Sequence, residues 1–276
     1  MQRQRLHYIA IFPSLITLLN AVSGFASIVY TSKGNFQTAG LMIFLGMIAD
    51  MLDGRIARMS KSTSSFGGQL DSLCDVITFG LAPAFLMLGL LDHSLSFNST
   101  SLTHFTTRFL WLVAATYISC AAIRLARFNV ENEEDESAHM SFVGLPSPAA
   151  AGVIVSLILF HQGVLPELIK EIAPLQETNI QMFNLWSKVI TFGDNAIIYS
   201  LPFITLGVAI LMVSRIRYPH IVNQYTKGKK PFTHLIRVLL LLLLLVIWSR
   251  QTLMVLFCGF ALSLCLMFKG GFKAGH

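Results

Sequence analysis

Residues 50–75 read DMLDGRIARMSKSTSSFGGQLDSLCD. Four aspartates, Asp50, Asp53, Asp71 and Asp75, stand in this stretch, and the rest of the chain is apolar nearly end to end. Of the 276 residues, 54% are hydrophobic and only 12% charged, and mean hydropathy is +0.65. A soluble domain carries about 25% charged residues. Several apolar runs reach the roughly 20 residues a helix needs to cross the hydrocarbon of a bilayer. Lipid cannot satisfy an open strand edge, and the alternation of a membrane barrel is missing. These features predict an all-α, polytopic helical membrane protein.

Eight spans are expected, at about 12–31, 38–59, 66–91, 109–129, 147–163, 193–214, 234–249 and 251–269. The first six make a membrane domain over 1–215. Residues 216–276 add a basic loop and a two-span hairpin to the same integral unit. The basic N-terminus lacks a small-residue cleavage site before a polar mature domain, so it reads as an interfacial segment and not a signal peptide. With the N-terminus inside, fifteen of the 20 lysines and arginines fall on the inner face. The outer face keeps Lys33, Arg108, Lys170, Lys188 and Arg250. That asymmetry follows the positive-inside rule and puts both termini, and 50–75, in the cytoplasm. The net charge of +6 then reports topology and anionic lipid, not nucleic acid. The acidic run 131–136 reads as a solvated inner loop. Residues 164–191 read as the longest outer loop, with LPELIKEIAPL along the interface. Asn98-Ser99-Thr100 is a formal glycosylation sequon on the outer side. Cys74, Cys120, Cys258 and Cys265 all sit in apolar segments without zinc-type pairing and read as buried thiols.

Helical residues three, four and seven apart share a face. Asp50, Asp53, Gly54 and Ala57 therefore line one stripe of the second span, and Gly67, Asp71 and Asp75 one stripe of the third. The connector 59–65 is short and polar, which makes the two spans antiparallel neighbours. At roughly 1.5 Å per residue, Asp50 lies about 12 Å along the helix from Arg58, near headgroup level. Four converging carboxylates would repel one another and lose hydration. Either they pair with Arg55, Arg58 and Lys61, or they hold divalent cations. Carboxylate oxygens suit Mg²⁺ or Mn²⁺, and no His or Cys on the stripes suggests zinc. A pair of such ions at a membrane surface points to phosphoryl-type chemistry. Gly54 and Ala57 leave the helix surface clear for a large substrate. Gly67 does the same or permits close packing.

The spacing D-x2-D-G-x2-A-R-x8-G-x3-D-x3-D is matched at every fixed position by Asp50, Asp53, Gly54, Ala57, Arg58, Gly67, Asp71 and Asp75. It resembles the signature of the CDP-alcohol phosphatidyltransferase family. The stretches PSLITLLNAVSGF (13–25), DSLCDVITFGLAPA (71–84), RLARFNV (124–130) and FVGLPSPAAAG (142–152) look like the membrane-bound branch that makes phosphatidylserine. Ser14 departs from it, where Asn is expected after the proline. The resemblance covers about 10–215 and implies transfer of a phosphatidyl group from CDP-diacylglycerol to the serine hydroxyl, with CMP leaving. It further implies two divalent ions, Mg²⁺ or Mn²⁺, on Asp50, Asp53, Asp71 and Asp75, with Asp75 as the general base. Gly54, Ala57, Arg58 and Gly67 would line the CDP site. Asn20 would reach the nucleotide or cross-link helices. Arg124 and Arg127 would bind the serine carboxylate or the lipid phosphate, or anchor the span. Pro146 and Pro148 would open the fifth span, with Ser147 structural. A homodimer in a bacterial inner membrane, with its site facing the cytoplasm, is implied by resemblance. Another acceptor, glycerol 3-phosphate or inositol phosphate, would satisfy the same metal motif. A cation transporter is disfavoured by the sparse polar residues of the later spans and by the lack of an inverted repeat.

Overall fold

The computed structural model describes residues 2–60, 65–95, 101–134, 141–214 and 217–219. They are helical except for short turns and two three-residue strands, which pair with each other. Five helical stretches among the described residues are long and apolar enough to cross a membrane. They are Ser14–Ser32, Phe66–Ser94, Phe105–Val130, Ser147–Ile172 and Ile180–Val213. The expected second span is present as a 25-residue helix and is not among those five. The seventh and eighth spans, the sequon, Cys258 and Cys265 lie outside the described residues.

The chain divides into two compact units. The first comprises Met1–Val155 with Ile198–Tyr218. It opens with α1 (Gln2–Ser32) and α2 (Phe36–Ser60). The sequence TSKGNF turns the chain between them. Gly34 takes φ +72°, its N–H donates to the Thr31 carbonyl and that of Asn35 to Tyr30. This is the glycine-closed helix end in which two otherwise orphaned carbonyls are satisfied. Asn35 then caps α2, its side-chain oxygen accepting from the Thr38 N–H at 3.2 Å. The tight turn forces α1 and α2 to pack along their lengths.

Helix α3 (Ser65–Asp75) is followed without a break by a π-turn (Val76–Leu81) and α4 (Ala82–Ser94). The turn is closed by the Ala82 N–H bonding back to Ile77. A π-turn inserts one extra residue into a helix and rotates all that follows. Helix α4 is the centre of this unit: Ala82, Pro83, Ala84, Leu86, Met87, Leu90 and Leu91 are all buried. Helix α5 (Ser101–Glu134) packs beside it. Fully buried Tyr117 donates its hydroxyl to the Phe79 carbonyl at 2.9 Å, a backbone group whose partner four residues on would be Pro83, which has no N–H. Helix α5 continues through 131–134, so the acidic run expected as a loop begins as a last helical turn.

Strand β1 (Ser141–Val143) leads to Gly144 and then α6 (Ser147–Leu159). Gly144 has φ +84°, and a Cβ there would lie 2.4 Å from the Met212 carbonyl oxygen. Only glycine permits that approach. Leu145 N–H meets the Leu211 carbonyl at 3.1 Å, and β1 pairs with β2 (Arg217–Pro219). Helix α6 begins between Pro146 and Pro148, as expected.

The second unit holds Ser156–Ile197. A second π-turn (Phe160–Val164) runs into α7 (Leu165–Ile172), followed by α8 (Leu175–Thr178) and α9 (Ile180–Val213). The expected outer loop at 164–191 is therefore helical over most of its length. His161 Nε2 lies 2.8 Å from Asp194 Oδ1, which joins the π-turn to α9.

Candidate active site

The stripe on α2 and the stripe on α3 meet. One carboxylate oxygen from each of Asp50, Asp53 and Asp71 lies within 4.8 Å of the other two. Asp53 is buried, and Asp50 and Asp71 are half-buried. Thr17 on α1 hydrogen-bonds Asp53. Asp53 Oδ2 and Asp71 Oδ1 are buried with no hydrogen-bond partner. Arg55 is exposed, and among the described residues none of the four aspartates forms an ion pair. Buried carboxylate oxygens left without donors are costly. A donor set made only of carboxylate oxygens suits a hard divalent cation, so these residues fit such an ion.

Asp75 follows Asp71 by one helical turn and is 7% exposed. It stands within electrostatic reach of Asp50, Asp71 and Asp53, yet its carboxylate is held separately. Asn20 on α1, fully buried, donates its side-chain amide to Asp75 Oδ1 at 2.9 Å. Asn20 thus meets the acidic cluster through Asp75. Its own Oδ1 is buried and without a partner.

Arg124, on α5, lies within electrostatic reach of Asp75 and Asp50. Its Nη1 donates to Ser147 Oγ at 2.6 Å, while its buried Nε has no partner. Ser147, expected to be structural, is fully buried and aims this guanidinium. Arg127 turns instead to the Val213 carbonyl, at 3.4 Å. Ser72 and Asn129 bond at 3.1 Å and tie α3 to α5 beside Asp71. Gly54 faces open space: a Cβ there would meet no atom within 4 Å. Gly67 is half-exposed near the start of α3. Ala57 and Arg58 lie on α2, but their side chains are outside the described residues. Cys74 is buried and Cys120 half-buried, both as free thiols.

The spacing pattern revealed neither the contact of Thr17 with Asp53 nor that of Ser147 with Arg124. A lone hydroxyl in an apolar helix carries no periodic signal, and its partner lies on another helix.

The CDP-alcohol phosphatidyltransferase family matches this chain over residues 10–193, which include all four aspartates. The chain belongs to that family. It is therefore an enzyme, a phosphatidyltransferase. A CDP-diacylglycerol–serine O-phosphatidyltransferase of Helicobacter pylori (strain 26695) is 32% identical over 210 residues, 76% of this chain and 72% of the relative. The enzyme of the same name in Bacillus subtilis is 29% identical, covering 75% of this chain and 89% of its own length. An archaetidylserine synthase of Methanothermobacter thermautotrophicus is 31% identical, over 76% of this chain and 70% of its own.

Proposed function

We propose that this phosphatidyltransferase moves the phosphatidyl group of CDP-diacylglycerol to the hydroxyl of L-serine. The products are phosphatidylserine and CMP. The convergence of Asp50, Asp53 and Asp71, with Asp75 beside them, carries the reading. The serine acceptor is supported by relatives named for serine or its archaeal counterpart.

In this reading Asp50, Asp53, Asp71 and Asp75 hold two divalent cations, Mg²⁺ or Mn²⁺. Bound there, such ions neutralise the diphosphate and the charge that develops on the leaving group. The nucleotide lies along the face opened by Gly54, with Ala57, Arg58 and Gly67 around it, and the acyl chains stay in lipid. Asp75 accepts the proton of the serine hydroxyl. The serine oxygen bonds to the lipid-side phosphorus, and the bond from that phosphorus to CMP breaks. Arg124 offers its unpartnered Nε–H to the serine carboxylate or to the lipid phosphate. Arg127 reinforces that positive face. The site opens to the cytoplasm, the enzyme resides in a bacterial inner membrane, and two copies pair through membrane helices. Residues 1–215 carry the site, and 216–276 complete the membrane unit.

The acceptor is tested by incubating membranes that contain the enzyme with CDP-diacylglycerol and serine, glycerol 3-phosphate or inositol phosphate in turn. CMP release with serine alone is expected. Release with glycerol 3-phosphate and none with serine overturns the assignment.

A further inference from the structure

A threonine in a membrane helix ordinarily returns its hydroxyl to the carbonyl four residues back. Thr31, Thr116 and Thr205 all do so here. Thr78, in the π-turn that follows Asp75, does not. Its Oγ1 donates to the backbone carbonyl of Asn20 on α1, at 2.9 Å. Asn20 is thus tied at both polar ends to one short stretch of chain, its carbonyl by Thr78 and its amide by Asp75. Both Thr78 and Asn20 are fully buried.

Thr78 is packed closely against two helices. A Cβ on Gly24 of α1 would lie 2.6 Å from Thr78 Oγ1, and one on Gly46 of α2 would lie 2.5 Å from its Cγ2 and 3.0 Å from Asn20 Oδ1. Two glycines on two helices therefore admit this one side chain. We propose that Thr78 is a positioning residue for Asp75, acting through Asn20. It fixes the α1 segment from which the Asn20 amide engages Asp75 Oδ1, so that Oδ2 is the oxygen presented to the acceptor hydroxyl. The inference rests on Asp75 being the base.

The test compares Thr78→Val, which keeps shape and loses the hydroxyl, with Thr78→Ser, which keeps the hydroxyl. Each purified variant is assayed for kcat, for KM of both substrates and for thermal midpoint. Mn²⁺ affinity is measured by electron paramagnetic resonance. Thr78→Val is expected to lower kcat about tenfold, the scale of a small misplacement of a reacting group. Its KM values should stay within about twofold, because Thr78 touches neither substrate, and its Mn²⁺ affinity, set mainly by the cluster of Asp50, Asp53 and Asp71, should fall by less than kcat does. Thr78→Ser should keep most of kcat. A Thr78→Val enzyme with wild-type kcat overturns the proposal. So does a Thr78→Ser enzyme as slow as Thr78→Val, which would assign the effect to packing. Every variant is assayed with whichever alcohol drives CMP release in the wild type. A wild-type preference for another alcohol therefore overturns the serine assignment and leaves this comparison intact.

Discussion

Asp75 differs from the other three aspartates in one contact, the amide of Asn20. In the proposed mechanism it is the proton acceptor, so Asp75→Asn should lower kcat by about 10²–10⁴, the usual contribution of a general base. Expression and membrane insertion should persist, because Asn keeps the shape and can still bond Asn20. Full turnover in that variant removes Asp75 from the role. Asp71 has the opposite setting, with a buried oxygen that no donor reaches. Asp71→Asn should weaken Mn²⁺ binding at least about tenfold by removing one carboxylate from a hard-cation site. EDTA should stop CMP release, with Mg²⁺ or Mn²⁺ restoring it. Unchanged Mn²⁺ affinity in Asp71→Asn would detach the cluster from metal binding. The four aspartates themselves were legible in the sequence because charge in an apolar helix is conspicuous and their three- and four-residue steps define faces. The separate setting of Asp75 was not, since it depends on a residue 55 positions away on α1.

At the scale of elements, helices were legible wherever apolar runs were long, because a backbone in lipid has no other way to satisfy its hydrogen bonds. The two π-turns were not. VITFGL is an apolar run, and the polar His161 and Gln162 of FHQGV mark a change of polarity without marking an added residue, while tertiary contacts such as Tyr117 to Phe79 form around the first turn. The first π-turn sets how α4 is rotated relative to the α3 face that bears Asp71 and Asp75. The helical content of 164–191 was also missed, since a polar segment between two spans has the composition of a loop. Gly144 supplies an element-scale test. Its positive φ and its approach to Met212 together make Gly144→Ala destabilising by about 1–3 kcal/mol. A lowered midpoint in thermal unfolding of the detergent-solubilised enzyme checks this. A midpoint equal to wild type would mean that the β1–α6 junction does not rely on that backbone shape.

For the whole molecule, basic-residue asymmetry predicts cytoplasmic termini. In a bacterial host, a green fluorescent protein fused after His276 should fluoresce, and an alkaline phosphatase fused there should be inactive. The reverse pattern would overturn the assignment of a cytoplasmic C-terminus. The family match over 10–193 spans both compact units.

Composition and spacing alone determined that this chain is helical, that it belongs in a membrane, and that its aspartates line one face of each of two neighbouring helices, while the phosphatidyltransferase reading came from the resemblance of that motif to a known family. Hydrophobic length and helical periodicity are local properties and are written in consecutive residues. The tertiary structure decided which carboxylates converge, that Asn20 holds Asp75, that Ser147 aims Arg124, and that Thr78 leaves its own helix to bond α1. Those pairings join side chains far apart in sequence. They are set by how closely glycine-bearing helices can approach, a matter of three-dimensional packing that no local pattern encodes.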